Sequence, residues 1–279
     1  MAQDPIEVKP IAGALGAEIF GVDLSKPLDN STFARVHQAL LDHQVIFFHD
    51  QDLSPEQHKA FGRRFGTLSN HTFVHATRDH AIDTECLEIR HEPGERYVFG
   101  EGWHMDHTWK EKPLMGGILH ALDVPPQGGD TLFANLYLAY ETLSDGMKRM
   151  LGRMRAVHAA NPALYVGDKN LKMSAEEIDA LRATHPVIRT HPETRRKLLF
   201  LHRAVVRHFD GWTIEESQPL LQFLYAHSER PEFTCRFRWR KGDVAFWDNR
   251  AVMHNPIADY QNQLRVMRRV AVDGAERPA

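Results

Sequence analysis

The sequence predicts a two-sheet β core with helices packed against its outside. Three observations carry that prediction. Short apolar or alternating runs gather towards the C-terminal end, helices are marked by their caps, and no Gly/Ser/Pro-rich linker or internal repeat divides residues 1–279. The chain therefore reads as one domain. Its 42% hydrophobic and 25% charged residues are the balance of a globular protein with material for a buried core.

Asn30-Ser31 opens the first helix, with Phe33, Val36, Leu40 and Leu41 on its apolar face. Val45-Ile46-Phe47-Phe48 is a short continuous apolar run, the pattern of a buried strand. Ser54-Pro55-Glu56-Gln57 combines an N-cap serine, proline at the first helical position and glutamine three residues after the cap; Ala60, Phe61 and Phe65 follow at helical spacing. Gly128-Gly129-Asp130, after Val124-Pro125-Pro126, is a turn. Ser174-x-x-Glu177 and Thr213-x-x-Glu216 repeat the capping signature, the second opening Leu220, Leu221, Phe223 and Leu224. Phe233, Cys235, Phe237 and Trp239 alternate with Thr234, Arg236 and Arg238, so one strand face is buried. Lys241-Gly242-Asp243 then turns the chain into Val244-Ala245-Phe246-Trp247, which reads as a hairpin.

A net charge of −3 supplies no global attraction to nucleic acid or anionic membranes. Arg195-Arg196-Lys197 reads as a solvated loop. No apolar run approaches the roughly 18 residues that span a bilayer, and no basic segment followed by an apolar one starts the chain. Cys86 and Cys235 are too few for a cysteine-rich zinc site. A reducing, cytoplasmic setting is the expectation.

Eighteen histidines make isolated motifs common, and His-x-acid triplets begin at His104, His191 and His208 among others. On an extended strand, residues i and i+2 share a face, so such a pair can offer an imidazole nitrogen and a carboxylate oxygen to one ion. A distant histidine completes a 2-His-1-carboxylate triad, which leaves one face of an octahedral iron open. His191-Pro192-Glu193 lies among proline and charge and reads as an exposed turn. His208-Phe209-Asp210 runs into Gly211, so its aspartate reads as part of an Asp-Gly turn. His104-Met105-Asp106 sits between Trp103 and Trp109, just after Gly100-Glu101-Gly102, and stays open as a ligand pair or a structural one. Asp248-Asn249-Arg250 makes a turn, and His254 closes the apolar stretch after it as a candidate third ligand. On a strand, Arg265, Met267 and Arg269 share a face. Two arginines there need anions: a ligand, internal carboxylates, or else solvent if the face is exposed.

With those residues in place, the chain resembles the taurine dioxygenase/2,4-dichlorophenoxyacetate dioxygenase family of iron(II)/2-oxoglutarate oxygenases. The resemblance runs from Gly13–Ile19 and Gly21–Leu24 through Phe65-Gly66, Trp103-His104-x-Asp106, Gly128–Thr131 and Trp247–Arg250 to His254, Arg265 and Arg269. It implies a double-stranded β-helix (jelly roll) with flanking helices, usually in a homo-oligomer. It implies Fe(II), 2-oxoglutarate and O2, with His104, Asp106 and His254 as iron ligands and Thr131 and Arg265 on the far carboxylate of 2-oxoglutarate. Arg269 and His71 match contacts to a small anionic substrate, and Phe73 and Phe99 lie in segments expected to cover the site. No further catalytic side chain is required.

Taurine-type members carry an Asp-Asn pair shortly before the metal motif; here the stretch is Tyr97-Val98-Phe99-Gly100, with no carboxylate. Together with Leu220–Tyr225 this favours an aryloxyalkanoate-like carboxylate substrate. The alternative is taurine, another alkylsulfonate or an alkyl sulfate. More distant alternatives are a non-catalytic jelly-roll binding protein and a zinc hydrolase using the same three ligands.

Overall fold

The computed structural model describes residues 6–70, 83–96, 98–160 and 174–279. His71, Phe73 and Tyr97 lie outside the described residues.

In chain order the first elements are β1 (Glu7–Pro10), β2 (Ala17–Phe20), α1 (Asn30–His43), β3 (Val45–Phe48), α2 (Pro55–Arg63), β4 (Cys86–His91), β5 (Gly116–Asp123) and β6 (Thr131–Asn135). Then come α3 (Leu136–Glu141), α4 (Asp145–Leu151), β7 (Arg155–Ala159), α5 (Ala175–Asp179), β8 (Arg182–Pro186), β9 (Ile188–Thr190), β10 (Lys197–Leu199) and β11 (Val206–Phe209). The last are α6 (Ile214–Ser228), β12 (Thr234–Phe237), β13 (Val244–Asp248), β14 (Val252–Pro256) and β15 (Arg265–Val272).

The larger sheet has the order β1-β2-β3-β13-β5-β15-β4, and a smaller sheet the order β12-β6-β14. Their facing sides form one core in which Phe47 stacks on Phe237 at 3.9 Å between ring centres, with Phe133, Trp247 and Met267 around them. On its other side the larger sheet packs against α1 and α2, burying Val36, Leu40, Phe61 and Phe246. That is why β3 and β13 read as unbroken apolar runs: both of their faces are covered. This is the double-stranded β-helix with outer helices.

Each capping box forms as its sequence requires at Ser54, Ser174 and Thr213. The cap of α1 is Asp29, one residue earlier than Asn30-Ser31, because the Asp29 carboxylate accepts from the Ser31 and Thr32 amides. In α6, Leu221 and Leu224 are buried but Phe223 faces solvent. The expected hairpin is absent. β12 pairs with β6 in the smaller sheet while β13 pairs with β3 and β5 in the larger, so the Lys241–Asp243 turn carries the chain from one sheet to the other. Cys86 and Cys235 are free and buried in separate clusters. Among the described residues no helix is long and apolar enough to cross a membrane.

The His191-Pro192-Glu193 turn is not solvated as expected. His191 is fully buried and bonds Asp248 at 3.0 Å, Arg250 pairs with Asp248 at 2.7 Å, and Glu193 receives Arg250 at 2.6 Å and meets His37 at 2.9 Å. These groups lock the β13–β14 turn, which leads into His254. Contact with His37, and then Arg250, draws the Glu193 carboxyl down from 4.5 to about 2. Burial pushes the Asp248 carboxyl up, but Arg250 and His191 outweigh it and hold it well below the usual range. Both carboxylates have depressed folded values, so their contribution is full above the unfolded range of about 4 and is lost as pH falls. The acid side of a melting-temperature profile is therefore expected to flatten between about pH 4.5 and 2 in Glu193→Gln. An unchanged profile would show that Glu193 adds no pH-dependent stability.

Candidate metal centre

β14 places His254 at the edge of the smaller sheet, and the His104 segment pairs with it. The two residues exchange backbone hydrogen bonds of 2.9 and 2.8 Å, which brings their rings to 4.1 Å between centres. Asp106, two residues on, returns to the same side; its oxygens lie 3.8 Å from His104 Nε2 and 3.9 Å from His254 Nε2. One donor atom from each of His104, Asp106 and His254 falls within 4.8 Å of the others, a cluster able to hold one ion. Two imidazoles and one carboxylate suit iron(II). His104 Nδ1 donates to the Gly102 carbonyl at 2.8 Å, which leaves Nε2 as the lone-pair nitrogen facing the cluster. Burial holds His254 neutral, far below its ordinary value. Burial raises the Asp106 carboxyl, but the Arg269 guanidinium, 2.7 Å away, more than reverses that and keeps it ionised.

The carboxylate is fixed through its backbone. Asn249, in the turn before β14, accepts the Asp106 amide at 2.8 Å and donates to its carbonyl at 3.0 Å. Gly100 has φ +75, and a Cβ there would come within 3.2 Å of the His104 ring, so glycine lets the backbone close over it. Trp247 packs 4.7 Å from the His254 ring, as a support residue should. The indole lies over Gly117, where a Cβ would stand 2.7 Å from Trp247 Cε2. Met105 points away into the opposite core beside Leu136 and Met253.

A cavity opens beside the cluster, lined by Thr131, Arg265 and Arg269, with Phe99, Ile89 and Leu119 among its apolar walls. Arg265 is 7% exposed; it lies over the Tyr260 ring, yet its Nε and Nη2 have no hydrogen-bond partner among the described residues. Buried donors in that state call for an anion. Thr131 Oγ1 accepts from Trp239 Nε1 at 2.9 Å, which frees its own proton for a further acceptor. Gly129, at φ +70, passes 3.2 Å from Arg265 Nε, measured to a would-be Cβ, so the glycine turn lets the guanidinium sit against the backbone.

Residues 7–271 match the family described as "Taurine catabolism dioxygenase TauD, TfdA family". The chain belongs to this family. It is 35% identical to an alkylsulfatase of Acinetobacter baylyi (96% of this chain, 85% of that one). It is 34% identical to an alpha-ketoglutarate-dependent sulfate ester dioxygenase of Pseudomonas putida (96% and 90%). Identity to an alpha-ketoglutarate-dependent 2,4-dichlorophenoxyacetate dioxygenase of Cupriavidus pinatubonensis is 30% (89% and 91%). Among solved structures, a taurine dioxygenase from Burkholderia xenovorans superposes with a TM-score of 0.82 at 36% identity (98% and 92%).

Of the residues singled out from the sequence of this TauD/TfdA-family member, His104, Asp106, His254, Thr131, Arg265, Arg269 and Phe99 converge on the cavity. His208-Phe209-Asp210 ends β11 in its Asp-Gly turn, with Phe209 buried and Asp210 exposed. Sequence reasoning missed Tyr260 and Trp239 as supports of Arg265 and Thr131, and Asn249 as the support of Asp106. Trp239 at least carried a signal, since its strand alternation put it on the buried face.

Proposed function

We propose that the chain is an iron(II)- and 2-oxoglutarate-dependent dioxygenase whose primary substrate is a small organic sulfate ester. Family membership and the relatives named as alpha-ketoglutarate-dependent dioxygenases support the reaction class. On substrate, the aryloxyalkanoate expectation is less well supported than its alternative, because the sulfate-ester relatives reach 34–35% identity against 30% for the 2,4-dichlorophenoxyacetate enzyme.

The observation that carries the reading is Arg269. It is 4% exposed, it lines the cavity beside the His/Asp/His cluster, and Asp106 is the only carboxylate among the described lining residues. A cavity with a buried cation and no second carboxylate suits an anionic head without an amine, which weighs against taurine.

In this reading His104, Asp106 and His254 hold the iron, and Thr131 and Arg265 grip the far carboxylate of 2-oxoglutarate. Bound iron, with 2-oxoglutarate and dioxygen, supplies the oxidation: one oxygen atom leaves in succinate with release of carbon dioxide, and the other enters a substrate C–H bond. When that carbon carries the ester oxygen, the hydroxylated product expels hydrogen sulfate and leaves an aldehyde. Arg269 binds the sulfate oxygens and so selects the carbon that meets the metal, a positioning task in which about 1 Å decides the rate. The walls at Phe99, Ile89 and Leu119 exclude water from that face.

Alkyl sulfates, alkylsulfonates including taurine, and aryloxyalkanoates should be compared by succinate formation and sulfate release. Turnover of the other classes with none on alkyl sulfates would overturn the substrate proposal. Arg269→Ala is expected to raise KM for the best sulfate ester roughly thirtyfold or more, because truncating one partner of a buried charge pair costs about 2–5 kcal/mol. An unchanged KM would remove Arg269 from substrate binding.

A further inference from the structure

Behind the metal cluster lies a second group of histidines that the reaction above does not use. Thr108, two residues after Asp106, is fully buried, and its hydroxyl sits 2.9 Å from His158 Nδ1 and 2.8 Å from His202 Nε2. His158 is on β7, and His202 follows β10. Burial pushes both imidazoles far below their ordinary value, so both are neutral. A hydroxyl carries one proton; it donates to one ring and accepts an N–H from the other. The second nitrogen of each ring has no hydrogen-bond partner among the described residues, so Thr108 is the one hydrogen-bonding contact that orients them. His185, on β8, adds a third hold by donating from Nε2 to the Thr108 carbonyl at 2.8 Å and the Lys110 carbonyl at 3.1 Å.

Between Thr108 and Asp106 stands His107, a non-glycine residue at φ +50. That left-handed conformation persists only where its surroundings over-determine it. Here the two neighbours are pinned from opposite sides, Asp106 by Asn249 and Thr108 by the three histidines. We propose that Thr108 is a positioning residue for the metal centre: its hydroxyl, bridged between His158 and His202, holds the turn that aims the Asp106 carboxylate at the ion. The inference rests on the reading of His104, Asp106 and His254 as ligands.

The test is titration of metal-free protein with Co(II), followed by its visible absorption, alongside thermal unfolding of the metal-free samples. Thr108→Val keeps the shape and deletes the hydroxyl, and Thr108→Ser keeps the hydroxyl. The valine variant is expected to bind Co(II) about 10–100-fold more weakly, the range for groups that orient ligands, while the serine variant retains wild-type affinity. A folded Thr108→Val protein with wild-type affinity would overturn the proposal, as would equal losses in both variants. Should Thr108→Val not fold, His202→Gln in the same titration decides: weakened binding by folded protein supports the proposal, and unchanged binding overturns it. If the wild type binds no Co(II), the ligand assignment fails and takes this inference with it. Wild-type binding with an unaffected valine variant sinks the inference alone.

Discussion

Asp106→Ala should abolish metal binding and also destabilise the metal-free protein. The first effect follows from the cluster, since the change removes one of three donors and its single negative charge. The second follows from Arg269, whose guanidinium lies 2.7 Å from the Asp106 carboxylate with both side chains nearly buried. Removing one member of a buried pair leaves the other charge without compensation, at a cost of about 3–5 kcal/mol. His104→Ala provides the contrast, because it takes a ligand away but leaves the Arg269–Asp106 pair intact. Both variants are expected to show no visible charge-transfer band when iron(II) and 2-oxoglutarate are added without oxygen. Only Asp106→Ala should also show a lowered denaturation midpoint in chelator. A band of normal intensity in Asp106→Ala would remove Asp106 from the metal centre. Equal midpoints for the two variants would mean that the Arg269 pair contributes nothing to the metal-free state.

That pair also shows how far the sequence could be read. Period-two spacing put Arg265 and Arg269 on one face of β15 but left open whether that face is exposed; both are buried. It could not tell internal carboxylates from ligands, and the structure divides the two: Arg269 meets Asp106, whereas two nitrogens of Arg265 meet nothing among the described residues. That His104 and Asp106 could face one point was legible for a similar reason, because they are two residues apart on an extended backbone. Long-range pairing was not legible. Nothing local says that β12 and β13 part company at Lys241–Asp243, since the turn chemistry is the same whether the chain folds back or crosses between sheets.

His191 illustrates the same limit. Proline and charge around it predict a turn, which forms, but its burial comes from Asp248, 57 residues away. Asn249, Trp239 and Tyr260 act through partners more than 100, more than 100 and a few residues away, respectively, as in the bonds to Asp106 and Thr131 and the contact with Arg265. Supports of this kind have no spacing rule, so only the assembled fold reveals them.

Arg265→Ala should weaken 2-oxoglutarate binding by roughly thirtyfold or more, on the same cost of about 2–5 kcal/mol for a truncated buried charge at about 1.4 kcal/mol per tenfold. Burial lowers the affinity of Arg265 for its proton, and Tyr260 opposes that; an arginine stays charged at neutral pH regardless. Its planar fork, laid over the Tyr260 ring at 5.4 Å and against Gly129, is held in one orientation before any ligand arrives. A carboxylate placed there would receive the fork and also the Thr131 proton, which Trp239 leaves free by occupying the other side of that oxygen. The half-saturation of the charge-transfer band reads the affinity directly, without turnover and without the primary substrate. Arg265→Lys separates charge from geometry. A lysine keeps the positive charge but offers a point donor instead of a fork, so it should recover only part of the lost affinity. Full recovery would mean that charge alone matters and that the Tyr260 and Gly129 contacts do not orient the group. Unchanged affinity in Arg265→Ala would displace the co-substrate from this end of the cavity altogether.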